Sequence, residues 1–412
     1  MAKYIFVNIA GDGHVNPTLP VAQELVARGE EVIYYLTEEF RGAVEATGAT
    51  FRPYTSSLDQ RPPGKFSADD IAANAANIML ARMVNDAAFV LPQIIEEVRA
   101  EKPDCVLYDM MSVTGKILAR SLHLSAILLR PSYAANEHFN IGQAMARGGQ
   151  EGPGKSFAEG LMQLNEQLTA LCQQFGAEPF NIQEVFAGAE LLNIVFIPRE
   201  FQPQGETFDE HRFVFVGPAL SPRLDTSGFP LEKLTGKKVL FISLGTVFNN
   251  QAEFFNTCFA AFREEPWLVV LARGKHVDPS ALNPIPSNFL VEPYVPQLEI
   301  LQRASAFITH GGMNSTMESL YYGVPIVAIP QMQEQAMTAQ RIEELGLGVM
   351  LDKSSIPPEN LRQAVERVSN DAALHARVSE MQQHVRNAGG YKKAADAILA
   401  FASGRQFPVT PA

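Results

Sequence analysis

Apolar and polar positions fall into blocks of two kinds along the first part of the chain. Short continuous runs, Tyr4 to Ala10, Glu31 to Leu36, Asp104 to Leu107 and Ser125 to Leu129, are rich in Val, Ile, Leu and aromatic residues. That is the pattern of strands buried on both faces. Between them the apolar positions spread out. Leu19, Ala22, Leu25 and Val26 share one side of a helix predicted over Pro17 to Arg28, with Gly29 as its stop signal, and a second helix is predicted over Val113 to Leu122. This rhythm predicts a parallel sheet with helices on both faces. Residues 55 to 90 and 135 to 185 break it, and their Met, Phe, Ala and Asn content predicts helical insertions above the sheet.

The stretch from Gly217 to Pro230, dense in proline, glycine and small polar residues, predicts an interdomain linker. The rhythm then restarts, with strands predicted at Val239 to Ser243, Leu268 to Leu271, Phe289 to Glu292, Ala306 to Thr309 and Pro325 to Ile329. The expected plan is α/β throughout. An acceptor-binding Rossmann-like domain covers 1–216, a linker 217–236 and a donor-binding Rossmann-like domain 237–390. A final helix in 391–412 packs back on the first domain. The two parallel sheets are expected to face across a cleft that closes about the linker, with ligands beyond the carboxyl ends of the strands.

Composition narrows the function. With 412 residues, 46% of them hydrophobic and 19% charged, the chain suits two well-packed domains. Its net charge of -12 argues against a general nucleic-acid binder and against docking on an anionic membrane. An anionic ligand must then be held by local devices such as helix N-termini. Cys105, Cys172 and Cys258 are scattered, which predicts neither a disulfide framework nor a zinc site and suits a reducing compartment. No apolar run approaches the ~20 residues of a membrane span, and the first residues lack the pattern of a signal peptide. A cytoplasmic location is expected.

Two segments carry chemistry. In Phe307-Ile-Thr-His310-Gly311-Gly312-Met313-Asn314-Ser315-Thr316-Met317-Glu318 an apolar strand ends at His310, glycines turn the chain, and a helix starts near Asn314. Backbone N–H groups and the helix dipole would then face a phosphate, aided by Ser315, Thr316 and His310. An ordinary Gly-Gly turn capped by Asn carries the same letters, so the fragment alone leaves both readings open. In Gly11-Asp12-Gly13-His14-Val15-Asn16-Pro17, directly after the first strand, His14 is expected at the carboxyl edge of the sheet. A neutral imidazole there can take a proton from an attacking hydroxyl. Asp109, expected just past the strand Asp104 to Leu107, can orient it. Taken singly, His14 reads equally as a turn residue and Asp109 as a helix cap. Gly11-x-Gly13 with Glu38 is too partial for a dinucleotide fingerprint, since Asn16 stands at the third glycine. Asp69-Asp70 lacks the strand context of a metal motif, and Trp267 reads as core.

The run from Tyr294-Val-Pro-Gln297 through His310-Gly-Gly-Met-Asn-Ser315, Glu318, Gly323-Val-Pro325, Pro330 and Glu334-Gln335 resembles the donor-site signature of family 1 glycosyltransferases. With Ile242-Ser-Leu-Gly-Thr246 and the Gly-His-x-Asn-Pro stretch, the chain looks like their bacterial macrolide and flavonoid glucosyltransferase branch over nearly its full length. The resemblance implies the two-domain GT-B fold and a UDP-sugar co-substrate. It assigns Tyr294 to stacking on uracil, the Val295 backbone to the edge of that ring, and Gln297 and Glu318 to the ribose. Gly245, Thr246, His310, Gly312, Asn314 and Ser315 would hold the diphosphate, and Glu334 and Gln335 would read sugar hydroxyls. Tyr294 and Met313 stand where plant members carry Trp, and Glu334 where they carry Asp. The implied reaction is a metal-free, cofactor-free inverting transfer of a hexose, glucose by resemblance, with His14 as base. The acceptor would be a small apolar molecule such as a flavonoid, phenol or macrolide. Phe66, Met79, Met83, Phe89, Tyr133, His138 and Phe139 are candidates to border it. The alternatives are a non-catalytic sugar-nucleotide-binding auxiliary protein, a sugar-nucleotide epimerase, or a transferase acting on lipid-linked acceptors.

Overall fold

A computed structural model of the chain describes residues 1–58, 68–141, 155–221, 228–245, 250–353 and 356–405. The chain forms two compact units, one of Met1–Ala219 with Gly389–Ala412, the other of Leu220–Ala388.

The first unit is built on a parallel seven-stranded sheet. Its strands are β1 (Lys3–Val7), β2 (Glu31–Leu36), β3 (Thr50–Pro53), β4 (Cys105–Asp109), β5 (Ser125–Arg130), β6 (Leu192–Val195) and β7 (Phe213–Phe215). The order is β3-β2-β1-β4-β5-β6-β7, so the winding reverses between β1 and β4. Alternate residues of each strand feed two cores. Ile5, Val7, Tyr35, Val106 and Leu128 pack with the helix Ala68–Glu101, and Tyr4, Phe6, Tyr34, Leu107 and Leu129 with the helices Leu19–Ala27 and Gly390–Ala402. Burial on both faces is why these strands read as unbroken apolar runs.

One expectation needs correcting. The segment Ile78–Glu101 is long and apolar enough to cross a membrane by length and composition. Its stripe of Leu80, Met83, Val84, Ala87, Leu91, Ile94 and Val98 is buried in the core, while Glu96, Glu97 and Arg99 face outward. It is the core helix of an α/β unit. The C-terminal helix Gly390–Ala402 completes the other core with Ala394, Ala395, Ala397 and Ile398. Lys393 Nζ donates to the Phe215 carbonyl at 3.1 Å.

The second unit has a parallel six-stranded sheet of order β10-β9-β8-β11-β12-β13. It comprises β8 (Val239–Ser243), β9 (Leu268–Ala272), β10 (Phe289–Glu292), β11 (Ala304–Thr309), β12 (Ile326–Ala328) and β13 (Gly348–Met350). Here the winding reverses between β8 and β11. Phe241 and Phe307, on those two strands, stack at 4.7 Å with nearly parallel rings. Trp267 is buried beside β9 under the Lys238 ammonium, a packing position. In open sheets of this kind, the carboxyl ends at the reversal leave a crevice where ligands sit.

Candidate functional site

In the first unit the chain leaves β1 at Val7 and turns at Gly11 into a single helical turn, Asp12–Val15. The Gly11 carbonyl accepts from the N–H groups of His14 and Val15, each at 2.9 Å. Asp109 is the last residue of neighbouring β4, inside the strand rather than past it. Its carboxylate is wholly buried, and Oδ2 lies 2.7 Å from His14 Nδ1. Oδ1 accepts from the Met111 N–H at 2.8 Å. The cap of the helix Val113–Ser121 is Ser112, whose Oγ accepts from the Gly115 N–H at 3.0 Å, so Asp109 is not spent as a helix cap.

A carboxylate only accepts, so the proton between the pair sits on Nδ1 and the ring lone pair on Nε2. The His14 side chain is 25% exposed and Asp109 0%. The arrangement is an imidazole open to solvent, oriented by a dry carboxylate at the reversal point of the sheet.

The expected acceptor-lining residues scatter. Phe66 lies outside the described residues. Met83 and Tyr133 are core residues, contrary to expectation, because Met83 falls on the buried stripe of its helix and Tyr133 stacks on Phe201 at 6.1 Å. Phe139 is half-buried with its ring edge to Tyr133, and Met79 packs partly against the core. Phe89 is exposed, and His138 is exposed beside Glu137.

In the second unit, Gly245 follows β8 and His310 follows β11, so the two stand at the reversal point of that sheet. Thr246 lies outside the described residues. Gly245 and Gly311 both take φ of +78°, a conformation that favours glycine. A Cβ on Gly245 would lie 2.6 Å from the His310 ring, and one on Gly312 2.4 Å from its Nε2. The imidazole therefore occupies a slot between two glycine backbones. Gly312 opens the helix Met313–Tyr322 without a side-chain cap, so that end presents N–H groups and the positive end of the helix dipole.

Beside it, Gln297 Nε2 donates to Glu318 Oε2 at 2.5 Å and to Ser315 Oγ at 3.4 Å. Glu318 is buried, as is Val295, whereas Tyr294 is 54% exposed. Gln335 is buried with Oε1 accepting from the Gln331 N–H at 2.8 Å, and its carbonyl approaches Gly311 closely. Glu334 and Asn314 are half-buried at the starts of their helices. The sequence did not single out Asn8, Thr18 and Tyr34, which hydrogen-bond beneath His14; an Asn closing an apolar strand was the available signal.

Burial pushes the His310 pKa down from 6.5 to about 4, so its ring is neutral at pH 7. Between those values the unfolded chain binds a proton that the folded chain does not. Stability from this group is complete above pH 6.5 and falls as the pH drops toward 4. At about pH 5 the wild type should have lost about 2 kcal/mol more unfolding free energy, relative to pH 7.5, than His310→Gln. Urea unfolding measures it, and equal losses would exclude the buried neutral ring.

Residues 268–389 match a family model described as Erythromycin biosynthesis protein CIII-like, C-terminal domain. The chain is 42% identical over 404 residues to NDP-glycosyltransferase YjiC of Bacillus licheniformis, covering 97% of this chain and 98% of that protein. It is 38% identical over 409 residues to YojK of Bacillus subtilis, described as an uncharacterized UDP-glucosyltransferase, covering 97% of each. Among solved structures, CalG4, the calicheamicin glycosyltransferase, is similar with a TM-score of 0.82 at 33% identity, over 98% of this chain and 99% of that one.

Proposed function

The chain belongs to the bacterial natural-product branch of the family 1 glycosyltransferases, NDP-sugar-dependent enzymes of the GT-B fold, and from that premise we propose an inverting hexosyl transfer with His14 as base. The observation that carries this reading is the 2.7 Å contact between His14 Nδ1 and the buried Asp109 carboxylate. An acceptor hydroxyl gives its proton to His14 Nε2 as its oxygen attacks the anomeric carbon of an α-linked donor. The bond from that carbon to the diphosphate breaks, and its electron pair leaves with UDP. Asp109 stabilises the imidazolium that forms.

The donor half follows from the second unit. The N-terminal end of the helix Met313–Tyr322, with Asn314 and Ser315, meets the diphosphate. Neutral His310, beside Gly245 and Gly312, donates a ring N–H to it. Exposed Tyr294 suits stacking on the base, and the Gln297–Glu318 pair suits the ribose hydroxyls. Glu334 and Gln335 would address the sugar. Charge on the leaving diphosphate is met by these groups, so no metal is assigned. UDP-glucose is the proposed donor, in keeping with the similarity to YojK, an uncharacterized UDP-glucosyltransferase. The acceptor is proposed to be a small apolar molecule bearing a hydroxyl, the group from which His14 would take the proton. Three buried, unpaired cysteines suit the proposed cytoplasmic setting.

UDP release from UDP-glucose, assayed with and without a panel of phenols and flavonoids, tests the reading. Release should require acceptor and yield a β-glucoside by NMR. Acceptor-independent release, or an α-linked product, would overturn it.

A further inference from the structure

Beneath His14 lies a buried polar cluster that takes no part in the proposed proton transfer. Asn8 follows β1, Thr18 precedes the helix Leu19–Ala27, and Tyr34 lies in β2; none is more than 1% exposed. Asn8 Nδ2 is 2.6 Å from the Tyr34 hydroxyl, 3.0 Å from Thr18 Oγ1 and 3.4 Å from the His14 carbonyl. The Tyr34 and Thr18 hydroxyls are 2.6 Å apart, and Thr18 Oγ1 donates to the Val15 carbonyl at 2.7 Å. From beyond β3, the Tyr54 hydroxyl donates to the Asn8 carbonyl at 2.9 Å.

With the Asn8 amide nitrogen turned toward the two hydroxyls and its Oδ1 buried without a hydrogen-bond partner, these contacts set the direction of the hydroxyl protons. The single proton of Thr18 goes to Val15, and the Asn8 amide nitrogen can only donate. Tyr34 therefore accepts from Asn8 and donates to Thr18. Burial pushes the Tyr34 phenol well above its ordinary pKa, and the nearby Asp109 charge adds to the shift, so this proton stays in place. The donors end on the Val15 carbonyl at 2.7 Å and, through a long contact at 3.4 Å that shares an Asn8 proton with Thr18, on that of His14, the last residues of a helix only four residues long. One turn has too few hydrogen bonds to hold itself. The cluster ties it to Tyr34 in β2 and to Asn8 just past β1, with Tyr54 bracing Asn8.

We propose that Asn8, Thr18 and Tyr34 are positioning residues for His14, fixing its backbone so that the ring keeps Asp109 on Nδ1 while Nε2 stays aimed at the acceptor hydroxyl. The proposal rests on the reading of His14 as base. The two buried hydroxyls are each hydrogen-bonded, so removing either leaves a buried partner unmet and loosens the turn they hold. Small displacements of a base cost rate steeply, because proton transfer demands hydrogen-bond reach.

The test compares two phenolic acceptors of similar shape with UDP-glucose as donor. One is neutral at the assay pH; the other is a nitrophenol already ionised there, which needs no base. Tyr34→Phe and Thr18→Val should each lower kcat for the neutral phenol by ~10-fold. They should leave the KM for UDP-glucose unchanged and the nitrophenol rate within ~2-fold, because the base is then dispensable. Thr18→Ser, which keeps Oγ, should restore the neutral-phenol rate, and it carries the test with Thr18→Val if Tyr34→Phe does not fold. An equal fall on both acceptors, or no fall, would overturn the proposal and leave His14 as base intact. If His14→Ala itself keeps the neutral-phenol rate, the base assignment fails and the proposal with it.

Discussion

Replacing His14 by alanine should lower kcat for a neutral phenol by ~10²–10⁴-fold, the usual worth of a positioned general base. The expectation follows from the geometry around β1 and β4. Nδ1 is committed to the buried Asp109 carboxylate at 2.7 Å, so Nε2 is the nitrogen left to accept a proton. Asp109→Asn is a sharper version of the experiment. An amide at that position keeps the shape but can donate toward Nδ1, which would move the ring proton to Nε2 and abolish the acceptor. Its loss should also be ~10²-fold or more. Affinity for UDP should be unchanged in both variants, because the donor groups named belong to the other sheet. Steady-state kinetics on a neutral phenol, with UDP titrated separately, decides the matter. Transfer that survives His14→Ala would remove the base assignment.

Gly312→Ala should weaken UDP binding by ~10–100-fold. The backbone at Gly312, φ −64° and ψ 142°, is open to any residue, so the methyl adds no backbone strain. What it meets is the His310 ring, 2.4 Å from its Nε2. The ring cannot retreat toward Gly245, where even a Cβ would lie 2.6 Å away. It must leave the slot, and with it goes the proposed neutral donor to the diphosphate. A hydrogen bond to a charged group is worth about 1.5–3 kcal/mol, which sets the fold-change. Calorimetric titration with UDP measures it, and the thermal midpoint of the same sample distinguishes lost binding from lost folding. Unchanged affinity would show that the ring does not serve the diphosphate.

Much of the fold was legible because the central strands are covered on both faces and stand out as apolar runs. Glu31–Leu36, Val239–Ser243 and Phe289–Glu292 have the bounds their composition predicts. The strands β3, β6, β7 and β13 were not read. Each has three or four residues, and β6 carries an Asn in its middle, too little pattern to separate from loop. Strand order was not legible either, since the reversals at β1/β4 and β8/β11 depend on pairings between residues far apart in sequence.

The same division holds at the sites. Motif letters single out His14, Asp109, His310 and Gly312, but no spacing says that Asn8, Thr18 and Tyr34 meet. Gln297 and Glu318 were each assigned to the ribose as independent ligands. They are hydrogen-bonded to one another, so a ribose hydroxyl must share or displace that bond. Met83 and Tyr133 show the limit of reading apolar side chains as lining, because helix spacing and ring stacking had already committed them to the core.

The first unit closes with the helix Gly390–Ala402, and Leu220–Ala388 is thereby an insertion between its two pieces. On the ribosome this sets an order of maturation. Chains fold domain by domain as they emerge, and every residue of Leu220–Ala388 is made before the helix that completes the other core. Ala394, Ala395 and Ile398 arrive after Tyr4, Phe6 and Val21, whose core they join. A polypeptide lacking that helix would carry a finished second unit and a sheet bearing His14 with one face covered only by the helix Leu19–Ala27. Quality control in the cell would thus meet the unit that carries His14 and Asp109, rather than the one that carries His310, as the exposed species.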